Sequence, residues 1–369
     1  MPVAGSTIST KVGTSDIDAL AGFAAATGWK VLYGVNFNTS TPMAAADEAK
    51  YAADKLGANL YGFEIGNEIN YFGSYGAITA KWSSFATAVK AAVPTANLAG
   101  PAVDNNVTSW AVPFAHDEAA KITLLTQHYY RGPGASGTMA ELMTVDGRLV
   151  TELGQLQDAA TSNHIRDGFR LGETNSFVNH GTVGVSDTLG AALWSLDFMF
   201  VNALHGSAGV NFHGGGPGQD PKHPEAFAYT PIGEMGGKVT EARPLFYGLL
   251  LVSLAGTGTL ETTSVKVGNL NLTGYAIAHD GGAHSVVLVN KDTTNGAKAT
   301  IDLGTAVAGA SAIYLRGPAL TAKTGITLAG ADITPDGVWK RTAPVLLATS
   351  GNTFDVVVPR ASAVLIRAQ

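Results

Sequence analysis

Phe63-Glu64-Ile65-Gly66-Asn67-Glu68 and Arg170-Leu171-Gly172-Glu173-Thr174-Asn175-Ser176 are the two stretches on which the reading of this chain turns. Each is a short apolar run that ends in Gly and then a carboxylate. A buried strand meeting a loop has this form, and parallel α/β barrels place their chemistry at such C-terminal strand ends. Two glutamates so placed, Glu68 and Glu173, are the minimum for cleaving a glycosidic bond. One protonates the leaving oxygen and the other attacks the anomeric carbon. A lone strand-end Glu is usually structural, and the competing reading of the pair is an ion-paired support. Asn67 directly before Glu68 strengthens the catalytic reading.

Working outward, apolar runs alternate with helical patterns from about residue 14 to 255, the signature of βα units around a parallel sheet. Strands are expected at Val31 to Asn36, Leu60 to Ile65, Ala96 to Ala99, Ile122 to Tyr130, Gly168 to Leu171 and Gly209 to His213. Helices are expected from Ser15 to Ala26, Pro42 to Lys55, Tyr75 to Ala92, Ser109 to Ala119, Met139 to Ala160, Asp187 to Leu204 and Arg243 to Leu254. A Gly/Pro-rich loop fills Gly214 to Met235. Glu64, alternating with Phe63 and Ile65, is expected to point away from the barrel lumen or to satisfy a local hydrogen bond. After Gly256 the chain becomes rich in Thr, Val and Gly, with turn signals at Asp280-Gly281-Gly282, Thr294-Asn295-Gly296 and Pro335-Asp336-Gly337. The expectation is therefore a (β/α) barrel over 1–256 and an antiparallel β-sandwich over 257–369. The barrel count is short. Glu68 ends the second expected strand and Glu173 the fifth, and the sum is six strands where closure takes eight. The sequence thus predicts a (β/α)8-type barrel lacking its first two strands, to be completed by an N-terminal segment or a second chain.

The bulk numbers exclude several classes. The 369 residues are 46% hydrophobic and 14% charged, with a net charge of −6. No Lys/Arg run exceeds Lys340-Arg341, whereas a nucleic-acid binder needs a basic stripe against the phosphates. No apolar run reaches the roughly 18 residues of a spanning helix, so no membrane contact is expected. The absence of cysteine rules out disulfides, thiolate metal sites and Cys nucleophiles. Met1 to Gly5 has neither a basic nor an apolar leader region. No histidine pair has the HExxH form, so neither a metal nor another cofactor is expected.

Four strings together carry a family resemblance: Gly66-Asn67-Glu68, Gln127-His128-Tyr129-Tyr130, Leu171-Gly172-Glu173-Thr174-Asn175-Ser176 and Asn211-Phe212-His213-Gly214-Gly215-Gly216. In order and spacing the chain resembles the retaining (β/α)8 glycosidases, within them the family of heparanase and microbial β-glucuronidases. The resemblance implies that Glu68 is the acid/base and Glu173 the nucleophile. It implies that Asn67 donates to the sugar 2-OH and that Tyr129 hydrogen-bonds the nucleophile. It places Gln127 and His128 among substrate-contacting residues, although His128 fits a buried core imidazole equally well. It puts Gly214, Gly215, Gly216 and Tyr229 where that family grips a uronate carboxylate. Two departures stand out. Val178, Asn179 and His180 replace a Tyr-Gly-Gly segment, and Pro217 to Ala228, with Lys222 and His223, lengthens the approach to Tyr229.

The implied function is an exo-β-glucuronidase acting by double displacement on a uronic-acid-containing carbohydrate. The alternatives are an endo-enzyme of heparanase type and an inactive carbohydrate-binding fragment. Sparse Lys and Arg around the expected cleft loops disfavour sulfated polymers, whose recognition needs cations. The compartment is open in the residues, and the resemblance favours a secreted or periplasmic location.

Overall fold

The structure, a computed structural model, describes residues 11–134, 136–214 and 227–369. Its first part runs α1 (Thr14–Thr27), β1 (Val31–Val35), α2 (Pro42–Leu56), β2 (Leu60–Ile65), α3 (Tyr75–Ala92), β3 (Leu98–Asp104), α4 (Val112–Asp117) and β4 (Leu124–Tyr130). It continues through α5 (Met139–Leu142), α6 (Gly147–Ser162), β5 (Phe169–Asn175), α7 (Leu189–Leu204) and β6 (Val210–Phe212). The six strands are hydrogen-bonded in chain order, β1 to β6, and β1 to β4 pair in parallel. By compactness the chain divides into two units, 1–128 with 152–172, and 129–151 with 173–369, so that the line passes through β4, α6 and β5.

The helices arise where the sequence sets their ends. Asp16 accepts the Gly13 N–H at 2.8 Å and opens α1 at Thr14, one residue earlier than the Ser15 start expected. Thr41 caps α2 by accepting from the Ala44 N–H at 3.2 Å, and Pro42 occupies the first turn, where its missing N–H costs nothing. The α2 face that repeats every three to four residues, Ala45, Ala49, Ala52 and Leu56, is buried.

Three expectations need correction. The single helix from Met139 to Ala160 is two helices, because Asp146 accepts the Arg148 N–H at 3.0 Å and starts α6 afresh. Asp146-Gly147 was the available signal. Strand β3 runs on to Asp104 rather than stopping at Ala99, with its register shifting between Pro101 and Val103, where proline cannot donate to the ladder. Glu64 faces the concave side of the sheet. A Cβ at Gly172 on β5 would lie 3.2 Å from the Glu64 carboxylate and 3.6 Å from Thr126 on β4, although β2 and β5 are not neighbours. Arg170, half-buried two residues earlier on β5, has its pKa lowered by desolvation, with Tyr61 and Glu64 opposing the drop.

A hairpin that the sequence reading passed over, β7 (Ile232–Met235) and β8 (Lys238–Ala242), turns on Gly236-Gly237. Both glycines have positive φ, 59° and 76°, as a two-residue hairpin turn requires. Helix α8 (Pro244–Ala255) follows.

The remaining strands are antiparallel, as expected. They are β9 (Thr259–Glu261), β10 (Leu272–Ala278), β11 (His284–Asn290), β12 (Ala297–Asp302), β13 (Ala310–Arg316), β14 (Thr327–Leu328), β15 (Val345–Leu347), β16 (Thr349–Ser350), β17 (Thr353–Val358) and β18 (Ser362–Ala368). One sheet is ordered β14-β13-β18-β11-β10-β9 with β15 on β13, and a second is ordered β12-β17-β16. Leu272, Val286, Leu288 and Ile366 of the first pack with Phe354, Val356 and Val358 of the second in one core. Within the same unit, Asp197 of α7 lies under β10 and β11, accepting from Tyr275 at 2.9 Å and Thr273 at 2.5 Å and pairing with buried Lys291. No helix among the described residues is long and apolar enough to cross a membrane.

Candidate active site

The first expected carboxylate, Glu68, is held by its backbone. Gly66 follows β2 with φ 89°, and a Cβ there would sit 2.4 Å from Ile69 and 2.9 Å from Phe37. Only glycine fits this turn. Glu68 itself is left-handed, φ 48° and ψ 49°, and its N–H donates to the Ala102 carbonyl of β3 at 2.7 Å. This unusual conformation for a non-glycine residue leads into a short 3₁₀ turn, Ile69–Tyr71. The Glu68 residue is 7% exposed, and its Oε1 lies 3.3 Å from His128 Nδ1. His128 is 1% exposed. It is therefore both the buried imidazole and a direct partner of Glu68. Asn67 is exposed beside it.

At the end of β3, Asp104 is buried and accepts from Tyr71 Oη at 2.8 Å and from Asn105 Nδ2 at 2.7 Å. Asp104 thus holds the turn that follows β3, with Asn106 Nδ2 donating to its carbonyl at 2.7 Å.

The second carboxylate, Glu173, lies inside β5 rather than beyond its end. Its Oε1 accepts from Tyr130 Oη at 2.7 Å. Tyr130 has one proton and gives it to Glu173, so its oxygen can only accept from others. His213 Nδ1 stands 3.0 Å from that oxygen, 2.7 Å from Tyr229 Oη and 3.7 Å from Glu173 Oε1. Tyr130 and Tyr229 are buried, and their rings stack at 6.3 Å. Burial, and then the Glu173 charge, push the Tyr130 pKa far above the ordinary phenol value, so it stays a donor at neutral pH. Burial pushes Tyr229 up to about 12. Asn175 fixes the surroundings by donating to the His213 carbonyl at 2.9 Å and the Tyr229 carbonyl at 3.4 Å.

The donor to Glu173 is thus Tyr130, not Tyr129, which corrects the expectation. Adjacent strand residues point to opposite faces. Tyr129 points the other way, donating to Asp146 at 2.5 Å and stacking on Phe198 of α7 at 5.7 Å, with the Arg148 guanidinium over its ring. Gln127, on the Tyr129 side of the alternation, is 1% exposed and donates to the His128 carbonyl, so it too is a core residue rather than an open contact. Sequence reasoning missed Tyr130 and Asn175 as site residues, and left His213 between a cleft residue and a core imidazole. The two-residue period from His128 to Tyr130 was the signal that could have found the first.

Gly214 is exposed, while Gly215 and Gly216, with Lys222 and His223, lie outside the described residues. The Tyr229 N–H donates to the His180 carbonyl at 3.3 Å. Asn179 and His180 have positive φ, 55° and 70°, followed by Gly181 at 85°. The left-handed turn that glycines would form is therefore retained by side chains that pay a strain for it. Burial, and then His213, lower the His180 pKa. Glu68, His128 and Glu173 are also of the types that ligate cations, so the expectation of no metal rests on sequence spacing alone.

Comparison with known proteins places this geometry. Residues 274–365 match the model of the glycosyl hydrolase family 79 C-terminal beta domain. A stretch of 111 residues is 32% identical to a β-glucuronidase of Neurospora crassa, covering 27% of this chain and only 19% of that protein. Among solved structures, a 4-O-α-L-rhamnosyl-β-D-glucuronidase of Fusarium oxysporum superposes with a TM-score of 0.82 at 19% identity, over 97% of this chain and 82% of the other. An α-L-arabinofuranosidase of Thermotoga maritima superposes at 0.70 with 14% identity, over 97% and 79%. The resemblance to family 79 glycosidases is borne out, and the structural likenesses show the fold alone, a parallel half-barrel of six strands with antiparallel sheets later in the chain.

Proposed function

We propose that this chain is a retaining exo-β-glucuronidase in which Glu173 is the nucleophile and Glu68 the acid/base. The observation that carries the reading is the Tyr130–Glu173 hydrogen bond at 2.7 Å. A nucleophilic carboxylate must be aimed at the anomeric carbon, and a buried phenol that donates to one of its oxygens fixes its direction. Glu68 is held differently, buried beside an imidazole, as suits a group that must gain and lose a proton. The reading requires the two carboxyl groups to converge to about 5–5.5 Å.

In the first step Glu173 attacks the anomeric carbon while Glu68 gives its proton to the departing oxygen. In the second, Glu68 takes a proton from water, which displaces Glu173. Asn67, exposed next to Glu68, is the proposed donor to the sugar 2-OH. Tyr229, His180 and the Gly214 segment are the proposed uronate contacts. Exo action on small β-glucuronides is favoured over cleavage of sulfated polymers, because Arg131 and Arg148 near the end of β4 are engaged with Asp146. We further propose that residues 1–256 and 257–369 are the barrel and sandwich domains, and that the six strands belong to a (β/α)8 barrel completed by further chain.

Incubation with a 2-deoxy-2-fluoro-β-glucuronyl fluoride tests the assignment. It should add one fluoroglucuronyl group to the peptide containing Glu173, read by mass spectrometry. Labelling of Glu68 instead, or none at all while the protein turns over a β-glucuronide, would overturn it.

A further inference from the structure

Two large aromatic rings beside Glu68 stand open to solvent. Tyr71 is 52% exposed and Phe72 42%. Tyr71 is nevertheless held firmly. Its N–H donates to the Glu68 carbonyl at 3.0 Å, and its hydroxyl donates to Asp104 Oδ2 at 2.8 Å. Asp104 is buried and steadied on its other oxygen by Asn105 at 2.7 Å. The intervening Asn70 pairs with the Asp104 backbone in both directions, at 3.3 and 3.5 Å. Phe72 leans on Phe37 with ring centroids 6.4 Å apart. An exposed side chain that only covered the core would not need a buried carboxylate to fix its tip.

We propose that Tyr71, braced by Asp104, is the platform of a leaving-group subsite, and that its ligand is the sugar or aryl ring whose glycosidic oxygen Glu68 protonates. This rests on the reading of Glu68 as acid/base. The acid must touch the departing oxygen, so the surface continuous with its own turn borders the leaving group. The apolar face of a pyranose or an aryl ring covers a phenol ring, and a ring already fixed loses little freedom on binding. Each Asp104 carboxylate oxygen keeps a second lone pair for a ligand hydroxyl. Burial, and then the bond to Asp104, raise the Tyr71 pKa, so the brace persists across the working pH range.

Three substrates separate the roles: β-glucuronyl fluoride, whose leaving group is too small to reach the ring, 4-nitrophenyl β-glucuronide, and a disaccharide with β-linked glucuronate at its non-reducing end. Tyr71→Ala should leave kcat/KM on the fluoride at the wild-type level. It should lower kcat/KM about tenfold on the other two, mainly through KM. Tyr71→Trp should restore most of that loss, and Tyr71→Phe, which keeps the ring, should lose less than Tyr71→Ala. An equal loss on all three substrates would make Tyr71 a support of Glu68, and no loss on any would leave it outside the site. Either result overturns the subsite. Wild-type protein inert toward the fluoride would instead sink the glucuronidase reading, and the subsite with it.

Discussion

Glu68 and Glu173 are the same side chain after the same kind of apolar run, and each has an imidazole close by, at 3.3 and 3.7 Å respectively, yet their backbones, their exposure and their nearest partners differ. Glu68 sits in a left-handed turn after β2, 7% exposed, its backbone pinned to β3 and its carboxylate beside an imidazole. Glu173 sits inside a regular strand, more open to solvent, and is gripped by a phenol whose oxygen meets His213. An imidazole can exchange protons near neutrality, whereas a buried phenol keeps its proton and donates it to the carboxylate as a hydrogen bond. Backbone geometry and partner chemistry are the grounds on which a proton-handling role is proposed for Glu68 and a nucleophilic one for Glu173.

The sharpest way to break this contrast is to remove each carboxylate. Glu173→Ala should lower turnover by about 10⁴-fold or more on every β-glucuronide, because no leaving group replaces a nucleophile. Glu68→Ala should cost on the order of 10²–10⁴-fold on poor leaving groups and far less in the first step on good ones. Azide should rescue the Glu68 variant and give a β-glucuronyl azide. An α-azide from that variant would show the roles to be exchanged.

The neighbouring tyrosines sharpen the comparison. Tyr130→Phe removes a hydrogen bond to a charged group and should lower kcat about 10- to 100-fold. Tyr129→Phe removes only the bond to Asp146, and should leave kcat within about twofold while costing about 1 kcal/mol of stability. Steady-state kinetics with thermal melts on both variants decide the matter, and a larger kcat loss from Tyr129→Phe would restore the original expectation.

The smallest effect is on pH. Tyr61 and Tyr229 are raised to about 12, mainly by burial, and Tyr130 and Tyr275 also lie above the ordinary value near 10. The folded chain therefore holds phenolic protons that the unfolded chain releases. Stability from these groups is complete below pH 10 and is lost as pH rises from 10 through 12. The melting temperature should fall by on the order of 5 °C between pH 9 and 11. A flat profile would mean that these hydroxyls ionise freely in the folded state.

Much of this was legible in the chain. Strand β2 and helix α3 lie where the apolar periodicity put them, because period and end signals are local properties. The two glutamates could be singled out because a strand end leaves a short pattern of apolar residues, Gly and carboxylate. The break at Asp146 and the Gly236-Gly237 hairpin were written locally too, in an Asp-Gly helix start and a two-glycine turn.

The partners of each carboxylate were not local. Tyr129 and Tyr130 are chemically alike and adjacent, and only the pleat of β4 decides which faces Glu173 and which packs on Phe198. Glu64 had no local mark of its concave-side place, which follows from the fold bringing Gly172 of β5 close to its carboxylate. His213, 40 residues after Glu173 in sequence, reaches Tyr130 because its N–H pairs with Thr174 of β5. The sequence by itself determined which residue types stand at the strand ends, since propensity and periodicity act over a few residues. The tertiary structure decided which side chain grips which carboxylate, since strand pairing alone brings distant residues within the 2.7–3.3 Å at which a proton is shared.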